Sequence, residues 1–165
     1  MFTPDLIERA SALLDRARTA GVMIATAESC TGGLVCALLT DIPGSSDVLD
    51  RGFVTYSNEA KSELLGIPTR IINANGAVSA EVARRMAQEA LLRSNADIAV
   101  SITGVAGPGG TARKPAGLVH FALARRNGPV KSDVRRFGDR GRSAVREASV
   151  HNALDLLSEG VDLFF

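Results

Sequence analysis

Apolar residues recur along much of the chain at intervals of three and four, the spacing that gives an α-helix one buried face. The clearest case is residues 4–20, which have Thr3 in front as a candidate cap and Gly21 behind as a stop signal. The same periodicity predicts further helices over residues 31–40, 58–65, 79–94 and 143–158.

Short and almost continuous apolar runs separate these helices, as is typical of strands buried on both faces. A turn at residues 127–129 (NGP) lies between the last two runs, so these are predicted to pair antiparallel. Residues 41–50, 68–78 and 104–116 are predicted to be irregular. The runs themselves predict strands over residues 22–27, 51–57, 97–103, 118–124 and 130–137.

The alternation of helices and strands predicts an α/β fold, a three-layer α/β/α sandwich on a mixed, mainly parallel sheet. A length of 165 residues fits one domain, predicted to span residues 1–165. No apolar run approaches the ~18 residues of a membrane span, and the start of the chain does not resemble a secretory signal. We therefore expect a cytoplasmic protein with no membrane partner.

The charge and aromatic content argue against nucleic acid as a partner. Nineteen basic and 18 acidic residues give a net charge of +1, too balanced to bind a polyanion through bulk charge. One Tyr, six Phe and no Trp provide few surfaces on which bases could stack. Cys30 and Cys36 are expected to be reduced thiols, and with His120 and His151 they are too scattered for zinc, so we expect no metal and no cofactor.

Polar or glycine-rich sequence follows three of the predicted strands, at residues 28–33, 55–61 and 103–110. Open α/β sheets bind ligands at the carboxyl ends of their strands, so we expect these segments to form three walls of one site. In the first wall, backbone N–H groups from Cys30 to Gly33 could bind an anion or a developing oxyanion. The alternative interpretation is structural, with Ser29 or Thr31 capping the helix and the glycines allowing it to pack.

The second wall contains Tyr56, the only tyrosine, and Lys61. Lys61 falls in the first turn of a predicted helix, where the dipole disfavours a cation. A lysine there is ordinarily solvated, but one held away from water would have a lowered pKa. Its neutral amine could then accept a proton from a serine, as in serine–lysine hydrolases.

The third wall pairs Thr103 and Gly104 with a flexible loop, which could equally be an ordinary surface turn. Cys30 is a weaker candidate nucleophile: the helix start is expected to lower its pKa, but no histidine lies near it in sequence. Five arginines follow late in the chain. One or two of them could bind a phosphate bidentately, although such a cluster is usually a solvated face; they are Arg135, Arg136, Arg140, Arg142 and Arg146.

Taken in order, these motifs resemble the CinA carboxy-terminal domain family of nicotinamide-nucleotide amidohydrolases. The resemblance runs from about residue 6 to residue 157, and its motifs are AESCTGG (27–33), GFVTYSNEAK (52–61), GAVS (76–79), GVAGP (104–108) and KPAG (114–117). It implies hydrolysis of the carboxamide of nicotinamide mononucleotide to nicotinate mononucleotide and ammonia, in pyridine nucleotide salvage and without a metal. It also implies a serine nucleophile, a lysine base and a nearby tyrosine, which match Ser29, Lys61 and Tyr56, and we expect Tyr56 to hydrogen bond within the serine–lysine pair.

The resemblance also guides the substrate-binding predictions. The family often shows Gly-Asp-Arg with a second arginine four residues later, whereas here residues 138–140 are followed by Arg142 and Arg146. We favour Arg142 as the phosphate ligand. The other predicted substrate-binding residues are Cys30, Thr31, Gly32, Gly33, Asn58, Thr103 and Gly104.

The resemblance leaves some properties open. The chain has no room for the amino-terminal domain of longer CinA proteins, so a stand-alone form is expected. The sequence does not decide whether the protein forms a homo-oligomer. The alternative function is a non-catalytic nucleotide-binding or sensor module that uses the same pocket.

Overall fold

The computed structural model describes residues 2–165 as six α-helices around a five-stranded sheet. A short 3₁₀ turn, Ser45–Asp47, precedes the second strand. The helices are α1 (Pro4–Ala20), α2 (Leu34–Thr40), α3 (Asn58–Leu65), α4 (Thr69–Asn75), α5 (Ala80–Leu92) and α6 (Arg142–Asp162). The strands are β1 (Ile24–Glu28), β2 (Leu49–Val54), β3 (Ile98–Gly104), β4 (Leu118–Arg125) and β5 (Lys131–Arg136).

The sheet has the strand order β2-β1-β3-β4-β5 and is mixed, as predicted. β1 pairs in parallel with both β2 and β3, and Glu28 at its end lies opposite Val54 and Ile102. β3–β4 and β4–β5 are antiparallel, which confirms the predicted hairpin. Because β2, β1 and β3 are parallel neighbours, their carboxyl ends meet at one edge of the sheet.

Helices cover both faces of the sheet, which completes the predicted three layers. α1, α2 and α6 pack on one face over a largely aliphatic core that includes Leu13, Leu38 and the aromatic Phe121. α3, α4 and α5 cover the other face, where the core is richer in alanine. No helix within residues 2–165 combines the length and apolar character needed to cross a bilayer.

Side-chain caps fix where three of the helices begin. Thr3 accepts a hydrogen bond from the Leu6 N–H at the start of α1, and Gly21 ends that helix with a φ of 67°. Ser57 accepts one from the Ala60 N–H at the start of α3, and Ser79 caps α5 in the same way. These local signals explain why α1 and α3 match their predicted ranges.

One element was missed, and several others have shifted ends: β2 ends at Val54 instead of residue 57, and α6 continues to Asp162 instead of residue 158. Residues 69–75 were predicted to be irregular but form α4, a two-turn helix with Pro68 as its N-cap residue and only Ile72 buried. A helix this short offers too few repeats for a periodic signal. α2 begins at Leu34 instead of residue 31 because Gly32 and Gly33 have φ values of 61° and 94°, which end any helical continuation toward residue 31.

Candidate active site

The three predicted walls meet in one cavity of about 190 Å³ at the carboxyl ends of β1, β2 and β3. Residues from the turn after β1, from the start of α3 and from the end of β3 line it, together with the first residue of α6. Its lining residues are Ser29, Cys30, Tyr56, Asn58, Lys61, Ala77, Val78, Thr103, Gly104, Ala106 and Arg142.

Ser29 and Lys61 are in contact inside this cavity. Lys61 Nζ lies 3.0 Å from Ser29 Oγ, and Lys61 is only 1% exposed. The amine also donates to the Thr55 carbonyl oxygen at 2.8 Å, and the carbonyl oxygens of Tyr56 and Ser57 lie 3.5 Å away. Residues 55–57 thus curve around the amine and hold it against the serine hydroxyl.

Burial lowers the pKa of Lys61 from its ordinary value, because the charged ammonium loses its hydration, while Cys30 opposes this shift. The direction is the one predicted for a lysine held away from water. A neutral amine at hydrogen-bond distance from a hydroxyl can accept its proton, so Ser29 and Lys61 have the geometry of a nucleophile and its base.

The expectation that the helix start lowers the pKa of Cys30 is wrong. Burial is the largest cause of a shift in the other direction, which raises this pKa to about 11, and the nearby charge of Glu28 also raises it. The thiol is therefore protonated near neutral pH. Cys30 lines the cavity, but in a form that is a poor nucleophile.

The backbone of the turn between β1 and α2 also corrects a prediction. The Gly32 N–H donates to the Ser29 carbonyl at 3.0 Å, and the Gly33 N–H donates to the Glu28 carboxylate at 3.1 Å. Neither glycine lines the cavity, and neither does Thr31. The N–H groups of Gly32 and Gly33 are thus already used within the turn and do not face a ligand.

Glu28 is the last residue of β1, and its side chain is fully buried. Its carboxylate accepts hydrogen bonds from three N–H groups at the start of α2, those of Gly33, Val35 and Cys36. The sequence analysis assigned this residue no role. A carboxylate six residues before a helix gives no periodic signal, so only the folded turn shows the contact.

Tyr56 does not join the Ser29–Lys61 pair through its side chain, contrary to the expectation that it hydrogen bonds there. Its residue is 60% exposed, and its hydroxyl accepts a hydrogen bond from Arg142 Nη2 at 2.7 Å. Arg142 Nη1 donates to the Gly107 carbonyl at 3.0 Å. Arg142 therefore links the second and third walls across the mouth of the cavity.

The other two candidate arginines are placed differently. Arg146 Nη2 donates to the Thr31 carbonyl at 3.1 Å, in the turn between β1 and α2, and Arg140 is exposed. Neither lines the cavity. Of the three arginines that the sequence left in competition, Arg142 is the one at the site.

The structure adds two lining residues outside the three predicted walls, Ala77 and Val78, and a third, Ala106, that lies in the third wall but was not singled out there. Ala77 and Val78 precede α5, and the Ala77 carbonyl accepts a hydrogen bond from the Thr103 hydroxyl at 2.8 Å. All three lie within motifs that carried the family resemblance. That resemblance was the available signal, because small apolar residues carry no recognisable chemistry of their own.

Among residues 2–165, no group of three or more His, Cys, Asp or Glu side chains is arranged to hold a metal ion. His120 lies on β4, and its pKa is lowered, chiefly by burial and also by Lys114 and Arg136. Neither it nor His151 lines the cavity. The titratable side chains that line it are Cys30, Tyr56, Lys61 and Arg142.

Comparison with known proteins gives consistent matches. The sequence matches the family model of the CinA C-terminal domain over residues 7–161. It is 48% identical over 158 residues to a CinA-like protein of Synechococcus sp. (strain RCC307), a match covering 94% of this chain and 38% of that protein. It is 52% identical over 141 residues to a CinA-like protein of Geotalea uraniireducens (strain Rf4), covering 85% and 33%. The chain spans about a third of the length of the curated relatives it matches.

Solved structures agree with the sequence matches. The competence/damage inducible protein CihA from Agrobacterium tumefaciens superposes with a TM-score of 0.94 at 48% identity, covering 98% of each chain. The competence damage-inducible protein A from Klebsiella pneumoniae gives a TM-score of 0.90 at 32% identity, covering 95% of this chain and 97% of that one. On the match over residues 7–161 and on these relatives, the chain belongs to the CinA C-terminal domain family.

Proposed function

We propose that this domain is a nicotinamide-nucleotide amidohydrolase that converts nicotinamide mononucleotide to nicotinate mononucleotide and ammonia. The observation that carries the proposal is the buried amine of Lys61, 3.0 Å from Ser29 Oγ in a cavity at the strand ends. The substrate class comes from the family resemblance, and the reaction class from this pair. Amide hydrolysis needs a nucleophile and a base that can pass its proton to the leaving amine, and the pair provides both.

The mechanism is acyl transfer in two stages. Ser29 Oγ attacks the carboxamide carbon and gives its proton to Lys61 Nζ, while the carbonyl electron pair moves onto oxygen. The C–N bond then breaks and Lys61 returns the proton to the departing nitrogen, which leaves as ammonia. Water attacks the resulting ester with Lys61 again as base, and the carboxylic acid and free Ser29 are released.

The size of the cavity supports a binding mode in which only the pyridine carboxamide of the substrate is enclosed. At about 190 Å³ it is smaller than the ~300–1,000 Å³ typical of pockets that surround a whole ligand. A pyridine carboxamide would lie inside, next to Ser29. The ribose phosphate would extend through the mouth, where the guanidinium of Arg142 and the side chain of Asn58 are available to bind it.

The proposal is tested by measuring ammonia release from nicotinamide, its riboside and its mononucleotide, with Ser29→Ala as the blank for contaminating activity. The expected result is turnover of the mononucleotide, with much slower turnover of the riboside and of the free base. Equal rates for riboside and mononucleotide would contradict the role of the phosphate. Tight mononucleotide binding with no ammonia would instead support the alternative, a nucleotide-binding or sensor module.

A further inference from the structure

The four N–H groups at the start of α2 are all used inside the protein. Those of Gly33, Val35 and Cys36 donate to the Glu28 carboxylate at 3.1, 3.1 and 2.9 Å. The remaining one, of Leu34, donates to the Thr31 carbonyl at 3.3 Å. A helix start usually attracts anions because its N–H groups lack partners, but here a buried side chain has taken that place.

Two of the N–H groups in the turn that holds Ser29 have no hydrogen-bond partner in another residue. The Ser29 N–H donates to the Ile102 carbonyl and the Gly32 N–H to the Ser29 carbonyl. Within residues 2–165, the N–H groups of Cys30 and Thr31 donate to no other residue, and the Cys30 N–H contacts only its own thiol. These two residues directly follow the nucleophile, and Cys30 lines the cavity.

We infer that Glu28 is a positioning residue that, by holding the start of α2, fixes the turn so that the N–H group of Cys30 is an oxyanion donor. The inference rests on the proposed amide hydrolysis. When Ser29 attacks, the carbonyl oxygen gains an electron pair and needs donors that are already oriented. Glu28 bridges the turn that contains Ser29. Its backbone ends β1 before Ser29, and its carboxylate accepts a hydrogen bond from the N–H group of Gly33, which follows Ser29 in the chain.

The charge of Glu28 is compatible with this role. Three N–H dipoles and the start of α2 face the carboxylate and offset its negative charge. No cationic side chain within residues 2–165 pairs with it, so its hydrogen-bond partners are these backbone groups. The same charge contributes to the raised pKa of Cys30, so the carboxylate also disfavours the thiolate beside Ser29.

The test is the variant Glu28→Gln, which keeps the shape but turns one acceptor oxygen into an NH₂ group that cannot accept. We expect kcat for the mononucleotide to fall about 100-fold, as when an oxyanion donor is lost. KM is expected to stay within about threefold of the wild-type value, because the ground-state contacts are unchanged. Glu63→Gln, an exposed carboxylate on α3, is the matched control and should leave both constants unchanged.

A second measurement separates positioning from general damage. Hydrogen exchange in Glu28→Gln should show faster exchange for the amides of Gly33, Val35 and Cys36, with the amides of β3 as protected as in the wild type. Glu28→Asp, whose carboxylate is too short to reach all three donors, should show an intermediate kcat.

The outcomes against the inference are distinct from failure of the proposed function. A kcat of Glu28→Gln within about threefold of the wild-type value would overturn the inference alone. A joint loss of kcat, mononucleotide affinity and β3 protection would show that Glu28 only maintains the fold, which also overturns it. If the wild-type protein releases no ammonia, the proposed function fails, and the inference fails with it.

Discussion

At the scale of single residues, the choice between Ser29 and Cys30 as nucleophile depends on partners, since both line the cavity. Ser29 lies 3.0 Å from a buried amine, whereas burial raises the pKa of Cys30 to about 11. Ser29→Ala is therefore expected to lower kcat by roughly 10⁴-fold or more while mononucleotide binding is nearly kept. Cys30→Ala is the matched neighbour and should lower kcat less than about tenfold. Steady-state ammonia release and calorimetric binding check both, and an active Ser29→Ala variant would overturn the assignment.

Lys61 predicts the pH dependence of the reaction. Its pKa is lowered from 10.5 by burial, and the base is the neutral amine, so the rate should rise with pH as the proton leaves and level off before pH 10.5. The pH profile of kcat/KM measures this directly. Lys61→Arg should not restore activity, because a guanidinium keeps its proton in this range. A profile that falls as the pH rises toward 10.5 would contradict a lysine base.

The same pKa links protonation to stability. Between the lowered pKa of folded Lys61 and 10.5, the unfolded chain binds a proton that the folded protein does not. The contribution of Lys61 to the free energy of unfolding therefore rises with pH across that window, whereas that of Cys30, whose pKa is raised from 9.0 to about 11, falls with pH above 9. The difference in the free energy of unfolding between the wild type and Lys61→Met, measured by denaturant titration at several pH values, should therefore grow with pH across that window.

At the scale of elements, Arg142 at the first position of α6 joins two loops across the cavity mouth. It donates to the Tyr56 hydroxyl at 2.7 Å and to the Gly107 carbonyl at 3.0 Å. Arg142→Ala should raise KM for the mononucleotide about tenfold or more, with kcat nearly unchanged, since a phosphate contact acts equally in the ground and transition states. Arg140→Ala, an exposed arginine two residues earlier, should leave KM unchanged.

Tyr56→Phe extends this prediction. Because the hydroxyl contacts Arg142 and not the Ser29–Lys61 pair, its loss should raise KM less than Arg142→Ala and should leave kcat nearly unchanged. A large fall in kcat for Tyr56→Phe would restore the dyad role that the sequence comparison implied. An elevated KM in Arg140→Ala, with a normal one in Arg142→Ala, would transfer the phosphate contact to Arg140.

Gly117 sets the distance between the loop of the third wall and the segment before α6. It has a φ of 86°, and a Cβ atom there would lie 2.2 Å from the Gly138 carbonyl oxygen. Gly109 has a similar φ of 89°, but a Cβ atom would meet nothing within 4 Å. Gly109→Ala should cost about 1–2 kcal/mol from backbone strain. Gly117→Ala should cost a further ~1–3 kcal/mol from the clash.

Urea unfolding of the two glycine variants provides the comparison. Both share the conformational penalty, so the difference between them isolates the close approach of the two backbones. Equal free energies of unfolding would mean that the segment at Gly138 moves aside easily.

At the scale of the whole molecule, the proposed chemistry lies in one part of the sheet. Ser29 follows β1, the carbonyl groups around Lys61 follow β2, and Thr103 and Gly104 end β3, all of them parallel strands. The antiparallel hairpin β4–β5 extends the sheet on the other side. Because the proton transfers run between Ser29 and Lys61, EDTA should leave the rate of ammonia release unchanged. Loss of activity that added zinc or magnesium restores would refute the serine–lysine mechanism.

The fold was predictable from sequence where burial was periodic and caps were local. α1 and α3 match their predicted ranges because Thr3, Gly21 and Ser57 fix the ends within a few residues. α4 was missed because two turns with one buried residue leave no period to detect. Helices with capping residues at their ends were therefore predicted within a few residues, whereas the missed helix α4 is too short to show a repeating pattern of buried positions.

The site was predictable as a set of strand ends but not in its contacts. The rule for ligands at parallel strand ends brought together Ser29, Lys61, Thr103 and Gly104. The partners of Tyr56 and of the Gly33 N–H could not be predicted, because each lies across a turn whose shape follows from packing. The pKa of Cys30 was expected in the wrong direction for the same reason: burial outweighed the helix start.

The amine of Lys61 is surrounded by main-chain oxygens of residues 55–57 and not by side-chain acceptors. Every amino acid supplies such an oxygen, so replacing the side chain at any of these positions leaves the acceptor in place as long as the chain keeps its course. Evolution could therefore vary the rim of the cavity, and with it the preferred nucleotide, without dismantling the proton-transfer pair. For engineering, substitutions at Tyr56, the one of these three residues that lines the cavity, offer a way to change substrate range at low risk to turnover, whereas an insertion there would displace all three oxygens at once.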